Sequence, residues 1–225
     1  MDKSQHKALH QMQQVWHKLA VNLLAYDQLK APWALGVASA VRGEGRTTSA
    51  IALSSAIARE TGDQVALLEI DLEKPSLASE VYPGSTPGLL EYLSDECELE
   101  ATFRSSASRR MTLVPGGSGW PQTPIYPTLD DVSIRLRRRM PYILDTLRFN
   151  FQYTVVDLPP VISSMYTKRL VNQLDGSLMI LRSGITPLSL IQESLESLGE
   201  ENVLGIVQLG KPSSVPTWLA NLITG

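Results

Sequence analysis

The residues with the clearest chemical potential form the run Ser39-Ala40-Val41-Arg42-Gly43-Glu44-Gly45-Arg46-Thr47-Thr48. A loop of the form G-x-x-x-x-G-K-[S/T] cradles phosphates with its backbone N–H groups and a helix N-terminus. Its lysine reaches the β and γ oxygens and its hydroxyl binds Mg²⁺. Gly43, Gly45 and Thr47 fit that frame, whereas Ala40 stands at the first glycine position and Arg46 at the lysine position. Arg46 keeps the positive charge, but its planar fork on a longer stem does not reproduce a compact ammonium. The candidate phosphate contacts are Arg42, Gly43, Glu44, Gly45, Arg46, Thr47 and Thr48. Taken alone, the run fits a nucleotide site and a plain glycine turn opening a helix about equally well.

Three acids shift that balance. Glu69 and Asp71 lie two residues apart at the end of an apolar run, so on a strand they project to the same side of a sheet. Asp157 follows the run Tyr153 to Val156 and occupies the place of an acid that holds Mg²⁺ or its water. One acid at a strand end is an ordinary polar exit from a core, whereas three beside a glycine loop favour a phosphate site.

The elements that position these residues are legible from periodicity. Apolar residues Val15, Trp16, Leu19, Leu23 and Leu24 fall at helical spacing before Pro32, which predicts an N-terminal amphipathic helix within residues 1–30. The expected strands are Trp33 to Ala40, Gln64 to Ile70, Met111 to Val114, Tyr153 to Val156, Gly176 to Leu181 and Val203 to Val207, with helical segments between them. Such alternation implies right-handed crossovers and a mainly parallel sheet with helices on both faces, an α/β domain over 31–225. Ligands of these sheets bind at the carboxyl ends of the strands, where the loop and the acids gather. The Gly/Pro-rich stretch 115–127 reads as a loop.

Composition narrows the function further. A chain of 225 residues with 43% hydrophobic and 19% charged residues is ordinary for one large folded domain. A net charge of −3 gives no broad positive field for nucleic acid. Arg135, Arg137, Arg138 and Arg139 are the one basic cluster, read as a solvated helix face. The single cysteine, Cys97, excludes an internal disulfide and fits a reducing compartment. The polar N-terminus does not read as a signal peptide, and no apolar run approaches a membrane span, so any membrane contact is expected through a partner.

In order and spacing, the glycine run, Leu67-Leu68-Glu69-Ile70-Asp71-Leu72-Glu73-Lys74-Pro75-Ser76-Leu77 and Val155-Val156-Asp157-Leu158-Pro159-Pro160-Val161 resemble the Walker A, A′ and B motifs of bacterial tyrosine kinases. Pro87-Gly88-Leu89-Leu90-Glu91-Tyr92-Leu93, Leu113-Val114-Pro115-Gly116-Gly117, Leu174-Asp175-Gly176 and Val203-Leu204-Gly205-Ile206-Val207 look like further landmarks, so the resemblance covers roughly Gln14 to Leu209. It implies a MinD/ParA-like P-loop NTPase fold, an ATP/ADP–Mg²⁺ site, and a role in exopolysaccharide or capsule biosynthesis and export beside a membrane polysaccharide co-polymerase. Localisation would be cytoplasmic, at the inner face of the plasma membrane, and a homo-oligomer is allowed. Within the resemblance, Thr47, Asp71 and Asp157 take the Mg²⁺ side, and Glu69, Asp71 and Arg46 the catalytic roles.

The departures from the family pattern are specific. Arg46 replaces the Walker A lysine, Glu69 the first Walker A′ aspartate, and Glu73 the family's arginine. An N-terminal E-x-x-R-x-x-R used for ring assembly reads Gln14, His17 and Ala20 here. Tyr166 is the last tyrosine, so no C-terminal tyrosine cluster is expected, and Leu209 stands where many relatives carry an adenine-facing asparagine. Three readings follow: a divergent kinase-like ATP-binding partner of an export machine, a working ATPase or tyrosine kinase using Arg46 and Glu69, and a scaffold without nucleotide. His6, His10 and His17 lack companions at metal-ligand spacing. Trp120 and the stripe Trp218, Leu219, Leu222 and Ile223 read as packing or partner contacts.

Overall fold

Alternation along β1 (Trp33–Ser39) sets the layers of the molecule. Trp33, Leu35 and Val37 pack with α1 (Lys3–Leu24) and α2 (Arg46–Thr61) on one face, while Ala34 and Ala38 belong to the core on the other. Every residue of β1 is buried, as a parallel strand covered on both faces must be. The chain is seen in a computed structural model that describes residues 3–77, 87–106, 110–117, 129–164 and 166–210, with side chains left out at 3–12 and 129–130. The expectations for Trp120, the C-terminal apolar stripe, the side chains of His6 and His10, and most of the Gly/Pro loop lie outside the described residues.

Seven described strands form one sheet in the order β3-β4-β2-β5-β1-β6-β7. They are β1, β2 (Val65–Glu69), β3 (Arg104–Ser105), β4 (Met111–Val114), β5 (Tyr153–Asp157), β6 (Gly176–Arg182) and β7 (Val203–Leu209). All neighbours pair in parallel except β3, which runs antiparallel along β4. The expected α/β class and mainly parallel sheet are therefore present. β3 was not anticipated, because two residues carry no period.

On the face opposite α1 and α2, the core is closed by α3 (Leu89–Leu93), α4 (Leu129–Asn150), α5 (Thr167–Val171) and α6 (Leu188–Leu198). Val132, Leu136, Met140, Ile143 and Leu147 give α4 an apolar stripe at helical spacing. The basic run on α4 divides into two pairs. Arg137 and Arg138 are exposed, whereas Arg135 bonds the Leu93 carbonyl at 3.0 Å and Asp95 at 2.9 Å. Arg139 bonds Asp95 and the Tyr92 carbonyl, and its guanidinium lies 4.9 Å from the Tyr92 ring centroid. Half of the expected solvated face thus ties α4 to α3 and the turn after it.

Register brings the three chemical strands level at one edge. Val37 of β1 and Glu69 of β2 both pair with Asp157 of β5, so the loops leaving all three strands emerge side by side. Beneath them, α1 lies on α2 through Trp16, Ala20 and Leu23, all buried, while Val15 is turned to solvent. The spacing 16, 20, 23 defines the packed face, and small Ala20, fully buried, lets the helices approach. His17 lies 3.3 Å from Glu60 of α2.

This packing predicts that α1 unfolds together with the rest of the domain. Truncating the buried Trp16 to Ala should cost about 3–5 kcal/mol, read as a lower urea midpoint. An unchanged midpoint would show that α1 does not stabilise the domain.

Candidate functional site

The chain leaves β1 through a tight loop and enters α2 at Arg46. Gly43 and Gly45 hold φ of 85° and 86°, conformations that suit glycine. A Cβ at Gly45 would also lie 2.9 Å from Leu209 Cδ1, so a side chain at the end of β7 already covers that position. Gly45 caps α2 without any side-chain hydrogen bond. The intrahelical ladder begins with Ser49 N–H to Gly45 O at 2.9 Å, and the N–H groups of Arg46, Thr47 and Thr48 precede it. A 16-residue helix therefore points its uncapped positive end at the loop.

Glu44, expected among the phosphate contacts, is turned inward and fully buried. Its carboxylate accepts the Val41 N–H at 2.8 Å and the Arg182 N–H at 3.4 Å, and also bonds the Thr186 hydroxyl. It closes the loop on itself and fastens it to the end of β6.

Arg46 lies at the centre of the site. It is only 8% exposed, and its Nε donates to Asp157 Oδ1 at 2.7 Å while Nη2 donates to Asp71 Oδ2 at 2.9 Å. Thr47 Oγ1 donates to the other Asp157 oxygen at 2.7 Å and receives Ser76 Oγ at 3.3 Å. Arg42 forks onto Asp71 at 2.7 and 3.3 Å and reaches Glu73 at 3.2 Å, and the Lys74 N–H adds a fourth donor to Asp71 at 3.3 Å. Burial works against the charge of Arg46, but Asp157 and Asp71 outweigh it and raise its pKa above the ordinary value. Burial likewise raises the Asp157 carboxyl, with Arg46 and Thr47 opposing the rise.

Glu69, expected among the catalytic residues, holds two loops together. It is 0% exposed, and Oε1 accepts the N–H groups of Ser76 and Leu77 at 2.6 and 2.9 Å. Oε2 accepts the Gly116 N–H at 2.8 Å, so the side chain joins the loop after β2 to the loop after β4. Burial raises its pKa, and those three N–H groups hold it back. The extra methylene relative to aspartate is what carries the carboxylate past the strand end to these partners.

Above this floor lies a cleft of about 410 Å³. Of the expected residues, Arg42, Gly43, Gly45, Arg46, Thr47, Thr48 and Asp71 line it, while Glu44, Glu69 and Asp157 are not on its walls. Ser39, Lys74, Ser76 and Arg182 also line it and were missed as site residues. Lys74 and Ser76 lie within the recognised second motif, a signal that was available, whereas Arg182 comes from the end of β6 and carries none.

As a receptor for an anion the arrangement fits: a helix N-terminus, a glycine loop and the cations Arg42, Lys74 and Arg182 face one cavity. As a shell for Mg²⁺ it does not fit. Thr47, Asp71 and Asp157 are brought together as expected, but all three are bonded within the arginine network.

Comparison with known proteins agrees with this architecture. No protein-family model matches the chain. It is similar to the succinoglycan biosynthesis transport protein ExoP of Rhizobium meliloti, 26% identical over 189 residues that make up 82% of this chain and 23% of that protein. The match thus spans under a quarter of ExoP's length. Tyrosine-protein kinase YwqD of Bacillus subtilis is 25% identical over 181 residues, 79% of this chain and 72% of that one. Among solved structures, the kinase domain of Escherichia coli tyrosine kinase ETK superposes with a TM-score of 0.71 at 21% identity, covering 82% of this chain and 70% of that domain. The septum site-determining protein MinD of Pyrococcus horikoshii, complexed with Mg-ADP, gives 0.67 at 17% identity over 85% of this chain and 77% of its own. The chain has the MinD/ParA-like P-loop fold, and its relatives are bacterial tyrosine kinases and exopolysaccharide proteins.

The Glu69 anchor makes a prediction that separates structural from catalytic use of the acid. Glu69→Gln should destabilise the protein by about 1–3 kcal/mol, because an amide cannot accept all three N–H groups and leaves one buried donor unpaired. Chemical denaturation measures this, and an unchanged midpoint would return Glu69 to the pool of free bases.

Proposed function

We propose that the chain is a kinase-like P-loop domain that binds the phosphates of ATP or ADP and works as a binding partner in exopolysaccharide or capsule biosynthesis and export. Its partner in this reading is a membrane polysaccharide co-polymerase, met at the inner face of the plasma membrane. Among the described residues no helix is long and apolar enough to cross a membrane, which is consistent with attachment through such a partner. The pathway is supported by the likeness to ExoP and YwqD, and the ligand by the cleft at the uncapped start of α2.

One observation carries the regulatory over the catalytic reading: the acids that a phosphoryl-transfer site would use are already engaged. Glu69 is held by three backbone N–H groups, and Asp71 and Asp157 are held by arginines. A general base must be within reach of the proton that it removes, and Glu69 is not on the cleft wall. What remains is a preformed receptor with Lys74 and Arg182 on its walls.

Thermal unfolding tests the reading. ADP at about 100 times Kd should stabilise the protein by about 2.7 kcal/mol, and at roughly 2–4 °C per kcal/mol for a chain of this length the shift is readily seen. Incubation with ATP and Mg²⁺ should leave the protein without phosphotyrosine. Absence of any shift, or stoichiometric autophosphorylation, overturns the proposal.

A further inference from the structure

Of the features outside simple phosphate binding, the Arg46 bridge is the one that changes what the site can hold. In a P-loop, hydroxyl and carboxylate groups at these positions face a divalent cation that neutralises both the acids and the phosphate. Here a guanidinium lies between the two acids, 2.7 Å from one and 2.9 Å from the other. For a metal to bind them, Asp157 and Asp71 would have to release Arg46, leaving a buried cation beside a dication in a poorly solvated place. Metal and Arg46 therefore compete for the same two acids.

The geometry points to Arg46 acting as a built-in replacement for the divalent cation, so that the site takes a nucleoside polyphosphate as its metal-free anion. This rests on the phosphate-binding reading above and deepens it. Two of the five guanidinium N–H donors are spent on the acids, and Arg46 also lines the cleft, so it can meet a phosphate oxygen as well. Lys74 and Arg182 on the same walls supply positive charge in place of Mg²⁺, and Arg42 adds to it once it leaves its acids. Arg42, with its side chain 35% exposed and shared between Asp71 and Glu73, has alternative partners and can turn toward an incoming anion.

The test is thermal unfolding of the full chain with ADP in EDTA, ADP with Mg²⁺, and Mg²⁺ alone. Wild type should show the same ADP shift in EDTA as in Mg²⁺, and none with Mg²⁺ alone. Arg46→Ala removes the bridge and should gain a rise with Mg²⁺ alone, as the exposed acid pair takes the ion. Should that variant fail to fold, Arg46→Lys serves in its place, and Mg²⁺ should then strengthen ADP binding by about tenfold or more, the worth of one good charge contact. A wild-type ADP shift that needs Mg²⁺ overturns the inference while leaving phosphate binding intact. An Arg46→Lys variant as indifferent to Mg²⁺ as wild type also overturns it. No shift under any condition removes the phosphate-binding reading and this inference with it.

Discussion

The buried guanidinium of Arg46, shared between a carboxylate at the end of β5 and one just beyond β2, is the interaction on which the site depends. Two acids that deep could not both stay charged side by side without a cation. A cation there is in turn stable only because both acids flank it. Satisfying that triad demands that β1, β2 and β5 end level, which the register of Val37 and Glu69 against Asp157 delivers. It also demands that α2 start directly above, which Gly43 and Gly45 permit through their positive φ. Breaking such a triad by removing one member costs about 3–5 kcal/mol, although the intact triad need not add net stability. Its contribution is better understood as fixing one arrangement of three loops.

Around that centre, acids are used as loop fasteners. Glu44 closes the glycine loop on Val41 and ties it to Arg182 and Thr186. Glu69 binds the backbone of Ser76, Leu77 and Gly116, and Glu91 accepts the Gly88 N–H at 2.8 Å at the start of α3. Each gives a backbone N–H a carboxyl oxygen as acceptor in place of water. Loops fastened this way need less ordering when a ligand arrives than loops without such bonds, which lowers the cost of binding.

Much of this was legible in the sequence, and the remainder was not for a physical reason. Strands β1, β2, β4, β5, β6 and β7, the glycine loop and the meeting of Asp71 and Asp157 beside it follow from period and spacing, which are local properties; Glu69 does not join them but turns to the loops after β2 and β4. The direction in which each carboxylate spends its hydrogen bonds is not local. Glu69 reaches Gly116 47 positions away, and Glu44 meets Arg182 138 positions away. Arg46 was recognised as a cation in the wrong shape for a lysine's task, but its second partner across 111 positions came only with the fold. The two-residue β3 and the split of the α4 arginines into exposed and anchoring pairs likewise depend on neighbours that no window of sequence contains.

The departures from the kinase pattern form a set rather than a scatter. A lysine ammonium is a compact point charge, whereas the arginine fork presents separate N–H edges and can bond two acids on different strands at once. The acid at position 69 is turned away from the cleft. The longer glutamate there is free to reach the loops after β2 and β4. Glu73, in place of a cation, then gives Arg42 a second anchor at 3.2 Å and keeps it near Asp71. Each change makes sense given the others: Arg46 and Arg42 together offset the acids at the floor of the cleft, while Lys74 and Arg182 remain on its walls. A site arranged in this way has cations on its walls and bonded acids on its floor, and those two features support the receptor reading over the catalytic one.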